Sequence, residues 1–145
     1  MVALAVLVSL PSCTKPEKQI IGKWKIVSAK VDGDKDEDAK GEVWTFKDNG
    51  KFSGFINLGL VWGVKISSDV DCKWRIDGNE LVLSGGDLEF IEDGYSVEVI
   101  ITMDIEQLDN EALILSGVMK VEGVLVGYVN QIEERHKVSC ELEAK

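Results

Sequence analysis

The sequence predicts an all-β fold, an antiparallel up-and-down meander of eight to ten strands that closes into a barrel. The first observation is a hydrophobic period of two, since apolar and mostly polar residues alternate over residues 70–76, 97–105 and 136–142. Such alternation is typical of strands with one buried and one solvated face. The second is the placement of turn residues between these segments, and the third is that both prolines precede the first strand. An antiparallel sheet with one apolar face can bury that face, and remove its exposed edges, by closing on itself.

The chain begins with an apolar run over residues 2–10 that ends at Pro11-Ser12-Cys13. The run is too short to cross a bilayer, which takes roughly 20 apolar residues, and has the length of a signal-peptide core. With a small residue before the cysteine it resembles a bacterial lipoprotein signal. The resemblance implies cleavage between Ser12 and Cys13, lipidation of Cys13, and an anchor in the outer membrane of the cell envelope, on either face. The alternative is an unprocessed N-terminus whose apolar run is an ordinary buried segment.

We divide the chain into a signal peptide (residues 1–12), the lipidated cysteine with a short polar tether (13–19) and one β-barrel domain (20–145). The barrel domain has a common single-domain size. The formal charge of −10, from 26 acidic and 16 basic side chains, argues against nucleic acid, whose phosphates favour Lys and Arg. It also argues against adsorption to anionic headgroups through a basic patch. We therefore expect membrane attachment through the lipid alone.

Turn residues divide the barrel domain into hairpins. Asp, Asn and Gly tolerate the positive φ angles of tight turns, and they stand between the alternating segments. The predicted boundaries are Asp48-Asn49-Gly50, Asp77-Gly78-Asn79, Gly85-Gly86-Asp87, Asp93-Gly94 and Asp109-Asn110. Each strand is expected to pair with the next one along the chain.

Residues 55–66 depart from clean alternation, because apolar side chains occur on both parities and three glycines are interspersed nearby. Glycines within a strand pattern indicate bulges or sharp bends. The segment, which contains Trp62, is either a strand covered on both faces or a part of the barrel mouth that meets a ligand.

Cys72 and Cys140 remain once Cys13 is assigned to lipid. Both lie on the apolar parity of their strands, and an even pair in an oxidising compartment favours a disulfide. The alternative is two free buried thiols that pack as small hydrophobic side chains. The sequence leaves both interpretations open.

Three segments carry a family resemblance. Residues 20–27, with Gly22 and Trp24 in a G-x-W kernel, resemble the first strand of lipocalins. Residues 43–52 resemble the second hairpin of lipocalin-like domains that are common in lipoproteins of the Bacteroidetes, and residues 74–81 resemble their next hairpin. The resemblance covers most of residues 20–142. It implies an up-and-down barrel with an internal cavity.

A structural role for Trp24 follows from its chemistry alone. A tryptophan buries up to about 250 Å² and needs an acceptor for its indole N–H. Near the start of the first strand, we expect Trp24 to plug the closed end of the barrel and to donate to a backbone carbonyl.

Patterns that carry catalytic chemistry are absent from the sequence. His136 is the one histidine and falls on the apolar parity of the last strand, so we interpret it as a packed, hydrogen-bonded core or rim residue. A single histidine argues against a zinc site, and the chain has no G-x-S-x-G elbow, Walker loop or dinucleotide fingerprint. We predict a non-enzymatic protein without a cofactor. A lipid hydrolase or isomerase that uses His136 is the least favoured alternative.

The acidic segment of residues 32–38 is the best metal candidate. Asp32, Asp34, Asp36 and Asp38 match the first four ligand positions of a calcium loop. However, Glu37 stands where a glycine makes the sharp turn, and Val43 where the bidentate glutamate belongs. We predict a solvated, mobile loop between the first two strands and no metal site; the alternative is weak, millimolar calcium binding.

The inward parity of the predicted strands supplies bulky apolar side chains. An eight-stranded barrel is wide enough either to be filled by side chains or to hold one small ligand. The predicted ligand-binding residues are Trp44, Phe46, Phe52, Trp74, Val99 and Met103. Our leading hypothesis is a lipid-anchored barrel that binds a small apolar molecule in its interior. The alternative is a solid-core protein-interaction or inhibitor module, whose segment around Trp62 contacts an envelope protein.

Overall fold

The computed structural model describes residues 15–61, 64–92, 95–125 and 131–145. The predictions for the signal peptide and Cys13 lie outside the described residues, as do those for Trp62. Within them, no helix combines the length and the apolar character that crossing a bilayer requires.

Ten strands, one helical turn and one 3-10 turn make up the described chain. The elements are α1 (Pro16–Gln19), β1 (Gly22–Val31), β2 (Asp34–Lys35), β3 (Val43–Phe46), β4 (Lys51–Val61), β5 (Val64–Asp77), β6 (Glu80–Ser84), a 3-10 turn (Gly86–Leu88), β7 (Glu89–Glu92), β8 (Tyr95–Leu108), β9 (Ala112–Leu125) and β10 (Gln131–Ala144).

Eight of the strands form a closed antiparallel barrel. Their order around the wall is β1-β3-β4-β5-β6-β8-β9-β10, and β10 returns to β1, with Ala144 opposite Trp24 and Val138 opposite Val31. The short strands β2 and β7 pair with the ends of β1 and β8. The predicted all-β barrel is therefore confirmed. Pairing between sequence neighbours is broken at two places, because β1 bonds to β3 and β6 to β8.

The closed end of the barrel, where β1 starts and the β3–β4 and β5–β6 turns lie, is capped by Trp24 and α1. Trp24 is 3% exposed and its Nε1 donates to the carbonyl of Ile20 at 2.8 Å. This confirms the structural role predicted for Trp24. The last four residues of the predicted tether form the helical turn α1, with Pro16 at its first position, where its missing N–H leaves no unpaired donor.

The opposite end, which we call the open end, has a less regular wall. Strand β3 pairs with β1 only over Gly22–Lys25, and beyond this point the loop of residues 36–42 follows β1 instead. The loop is held by hydrogen bonds from Ile26 N to Glu42 O at 2.8 Å and from Gly41 N to Ile26 O at 2.9 Å. The predicted solvated loop over residues 32–38 is exposed, apart from the partly buried Asp36. It is also tied to the barrel wall, because Asp32 N donates to Lys137 O at 2.8 Å and Asp36 N donates to Ala29 O at 2.9 Å.

The two described cysteines are buried free thiols, so the disulfide alternative is wrong. Cys72 lies on β5 and Cys140 on β10, and three strands separate them in either direction around the wall. Neighbouring strands are about 4.8 Å apart, whereas a disulfide needs Cβ atoms within about 4.5 Å. Burial raises the pKa of each thiol to about 12.

Candidate binding site

A cavity of about 50 Å³ lies inside the barrel toward its open end. It is lined by strands β1, β3, β4, β8, β9 and β10 and by the loop of residues 36–42, and it is partly open to solvent. Apolar side chains that line it include Ile26, Ala29, Ala39, Trp44, Ile56, Ile101, Met103, Met119, Val138 and Cys140. Four polar residues, Lys30, Asp36, Asn57 and Ser139, also border it. The arrangement suits an apolar group rather than a charged one.

A bulge in β1 helps to create this space. Leu142 pairs with Ile26 and Glu141 with Ser28, which leaves Val27 as the extra residue. A bulge of one residue reverses the side-chain parity beyond it. Ile26 therefore faces the interior before the bulge and Ala29 after it, and the small methyl group of Ala29 leaves room that a larger side chain would fill.

The indole of Trp44 separates the cavity from the closed half of the barrel. Its Nε1 donates to the carbonyl of Phe55 at 2.9 Å. Gly54 makes this position available, because a Cβ atom there would overlap Cδ1 of Trp44. Trp44 also packs edge-to-face on Phe52, with ring centroids 5.2 Å apart. Trp44 is thus held both by a hydrogen bond and by an aromatic contact.

The closed half below Trp44 contains a tightly packed aromatic cluster. Phe46 contacts Phe52 and Trp74 edge-to-face at centroid distances of 5.2 and 5.8 Å, and both phenylalanines are 1% exposed. Edge-to-face contacts of this kind stabilise the core by about 0.5–1.5 kcal/mol per pair beyond burial. This half of the barrel is filled by its own side chains.

The six predicted ligand-binding residues therefore fall into two regions. Trp44 and Met103 line the cavity. Phe46, Phe52 and Trp74 belong to the aromatic cluster, and Val99 is fully buried in the core without bordering the cavity. The alternation identified all six as inward-facing but did not indicate which half of the barrel is filled.

The prediction did not include Ala29, Ala39, Met119 and Cys140 among the ligand-binding residues. Met119 and Cys140 lie on the inward parity of β9 and β10, so the alternation contains a signal for them. Ala29 follows a bulge and Ala39 belongs to a loop. For these two the sequence pattern gives no comparable signal.

His136 joins the open end of β10 to the β1–β2 turn. Its Nδ1 lies 2.8 Å from Oδ2 of Asp32 and its Nε2 lies 3.4 Å from Oε2 of Glu134. Asp32 is fixed in turn, since its Oδ1 accepts from Lys137 N at 2.9 Å and its own N–H donates to Lys137 O at 2.8 Å. The predicted hydrogen-bonded rim histidine is confirmed.

The electrostatics of this cluster favour an ion pair. The hydrogen bond to Asp32 is the main cause that raises the pKa of His136, and the same bond lowers the pKa of Asp32. Both ring nitrogens have carboxylate partners, so the imidazole ties β10 to the β1–β2 turn. The acidic segment does not gather ligands, since the described residues contain no group of three or more His, Cys, Asp or Glu side chains suited to a metal ion.

Comparison with known proteins identifies the family. Residues 20–109 match the family model of the lipocalin-like domain, which covers more than half of the chain. The chain therefore belongs to the lipocalin-like domain family. Strands β9 and β10, which complete the barrel, follow the matched region. Comparisons with curated proteins and with solved structures find no significant match.

Proposed function

We propose that this lipocalin-like domain is a non-enzymatic, lipid-anchored barrel of the cell envelope that binds a small, slender apolar molecule in the cavity above Trp44. The observation that carries the proposal is an interior space bounded mainly by apolar side chains, with polar residues confined to a few positions. A ligand there would be held by burial of apolar surface, at about 25 cal/mol per Å².

The size of the cavity limits the ligand. A volume of about 50 Å³ has room for a few water molecules, whereas pockets for drug-sized ligands measure about 300–1,000 Å³. Met103 on β8 and Met119 on the adjacent strand β9 both line the cavity. Methionine side chains adapt readily to irregular shapes. We therefore expect a slender group such as the end of an acyl chain to enter by displacing these two side chains.

The position of the N-terminus fits an anchor at the closed end. Lys15 and α1 lie beside the start of β1, and Cys13 precedes Lys15 by two residues. Because each residue spans at most about 3.6 Å, a lipid on Cys13 would hold the closed end within roughly 10 Å of the bilayer surface. The open end and its cavity would then face away from the membrane.

A pair of phenylalanine substitutions on β1 tests the binding proposal. Ala29→Phe places a ring in the cavity, whereas Val27→Phe adds the same ring at an exposed position of the same strand. Titration with lauric acid and with an apolar dye, followed by tryptophan and dye fluorescence, should show micromolar binding to the native protein and to Val27→Phe. We expect Ala29→Phe to bind at least about tenfold more weakly, since its ring occupies the space in which a ligand would lose water contact.

Circular dichroism of Ala29→Phe serves as the folding control, because overpacking a core destabilises by about 1–3 kcal/mol. Undiminished binding by a folded Ala29→Phe variant would contradict the assignment of the cavity. So would the absence of binding by the native protein.

The filled closed half supports one alternative, the solid-core interaction module. Phe46 and Phe52 leave no space there. If the fluorescence titration is silent and an envelope protein co-purifies with the chain, this second function replaces the first.

A further inference from the structure

A basic groove of about 780 Å³ runs along the outer wall near the closed end. It is formed by β4, β5, the β3–β4 turn, the end of β6 and the start of the 3-10 turn. Four cationic residues line it, namely Lys47, Lys51, Lys73 and Arg75, whereas Asp71 is the acidic residue among its described lining. The described lining of the groove thus carries more positive than negative charge, in a chain whose net charge is −10.

Two of these lysines face each other directly across the sheet. Lys51 on β4 pairs with Lys73 on β5. Like charges at directly opposed positions destabilise an antiparallel pair, and their Cβ atoms are about 4.5–5.5 Å apart. An anion between the two ammonium groups would convert this repulsion into attraction.

The described ion pairs leave these lysines uncompensated. They involve Lys120, Arg135, His136 and Arg75, and not Lys47, Lys51 or Lys73. Arg75 lies 3.1 Å from Asp77, but both side chains are more than half exposed, so this pair contributes little. The positive charge of the groove therefore remains available to a ligand.

Another lysine pair in the same barrel shows the contrast. Lys30 and Lys35 are also opposed, on β1 and β2. The surface around them includes Asp36 and Glu37 as well as Lys40, so two carboxylates there partly offset three positive charges. The pair in the groove has Lys47 and Arg75 as further cationic neighbours, with Asp71 as the acidic one.

Neutral hydrogen-bonding groups complete the groove. Asn49, Ser53 and Ser84 line it beside the cations, and hydroxyl and amide groups commonly supply the additional donors at phosphate sites. The indole of Trp74 is fixed at the groove by a bond from its Nε1 to Lys47 O at 2.9 Å. Asp87 marks the acidic margin, since its Oδ2 accepts from Asp71 N at 2.8 Å.

We propose that this groove binds a phosphate group, with Lys51 and Lys73 as its principal ligands and Lys47 and Arg75 at its margin. The phosphate belongs either to a soluble anion or to the headgroup of an anionic phospholipid. The expectation that membrane attachment comes from the lipid alone rests on the net charge of the whole chain. The structure instead places four cationic residues together in one groove near the closed end, where α1 and the N-terminal part of the described chain also lie.

The test compares matched double variants of the full chain carrying Cys13→Ala, so that no acyl chain contributes. Lys51→Gln/Lys73→Gln removes the opposed pair from the groove, and Lys30→Gln/Lys35→Gln removes the same charge elsewhere. Binding is measured with sodium pyrophosphate by calorimetry and thermal shift. It is also measured by co-sedimentation with phosphatidylglycerol vesicles, with phosphatidylcholine vesicles as the neutral reference.

We expect the Cys13→Ala parent and its Lys30→Gln/Lys35→Gln variant to bind pyrophosphate, phosphatidylglycerol vesicles or both. This binding should weaken as NaCl is added, because salt screens the charges. The groove variant should bind about tenfold more weakly, since two exposed charge contacts are lost. Without ligand its melting temperature should equal or exceed that of the parent, because the lysine repulsion is gone.

The ligand source follows from which binding is seen. Pyrophosphate binding alone indicates a soluble anion, and vesicle binding alone indicates a headgroup. Absence of both in the parent would overturn the proposal, as would equal losses in the two double variants. The cavity lies on the inner face of the barrel wall and the groove on its outer face. Ala29→Phe should therefore leave phosphate binding intact.

Discussion

Replacing Trp24 by phenylalanine removes one hydrogen bond and part of one ring from the closed end of the barrel. The indole is 3% exposed and Ile20, which supplies its acceptor, is fully buried. The substitution therefore leaves a buried carbonyl without this donor, and an unsatisfied buried polar group costs about 1–3 kcal/mol. The smaller ring adds about 1 kcal/mol through lost contacts and a small cavity.

The expected loss in the free energy of unfolding is thus about 2–4 kcal/mol, a large part of the 5–15 kcal/mol typical of a domain. For a domain of this size the melting temperature should fall by about 6–15 °C. Urea unfolding followed by far-ultraviolet circular dichroism measures the change without relying on tryptophan emission.

Trp74→Phe is the matched control. Trp74 also donates its Nε1 to a backbone carbonyl, that of Lys47 at 2.9 Å, but at a partly buried position near solvent. Water can satisfy the carbonyl there, so we expect a loss of about 1 kcal/mol. A Trp24→Phe variant within 0.5 kcal/mol of the native protein, or more stable than Trp74→Phe, would refute the reasoning.

Three further predictions concern the rim cluster, the thiols and the anchor. The raised pKa of His136 means that its charge stabilises the fold fully below the unfolded value near 6.5. This contribution is lost as the pH rises through the higher folded pKa. His136→Gln should therefore destabilise by about 0.5–1 kcal/mol more at pH 5.5 than at pH 9, and equal urea midpoint shifts at both would count against the ion pair with Asp32. Cys72 and Cys140, with pKa values raised to about 12, should resist a thiol reagent at pH 8 in the native Cys13→Ala chain, and both should react in denaturant. Rapid native reaction would show accessible thiolates. Cys13→Ala should also release the protein from the membrane fraction, whereas a variant that still pellets would contradict the lipid anchor.

The alternation of apolar residues predicted the barrel because it reflects a simple physical constraint. On β8, Val97, Val99 and Ile101 face the interior of the barrel, and the residues between them face outward. The turn at Asp77-Gly78-Asn79 could likewise be predicted from the sequence, because Gly78 adopts a φ of 60°, a conformation that favours glycine.

The alternation of apolar residues could not predict that one half of the barrel interior is filled and the other half contains a cavity. Phe46 and Met103 are both apolar and both lie at inward-facing positions of their strands. Phe46 nevertheless belongs to the aromatic cluster, whereas Met103 lines the cavity. Which of them borders empty space depends on the bulge at Val27 and on a loop that replaces part of β3. Both are tertiary features that periodicity does not encode.

The basic groove shows the same limit for charge. Lys51 and Lys73 are 22 residues apart in the chain and become partners only through the register of β4 and β5. Net charge averages over the whole surface, so the value of −10 concealed a local excess of positive charge. The pairing register of the strands, rather than the overall composition, determines where positive charges come together on the surface of the barrel.

Methyl NMR of the methionines tests the central claim, an apolar molecule held inside the barrel, most directly. The chain has three methionines, of which Met103 and Met119 line the cavity. Addition of lauric acid to protein labelled at the methionine methyl groups should shift the Met103 and Met119 resonances in a saturable manner at micromolar concentration, and Ala29→Phe should abolish the shifts. Unchanged Met103 and Met119 resonances at saturating lauric acid would contradict the account.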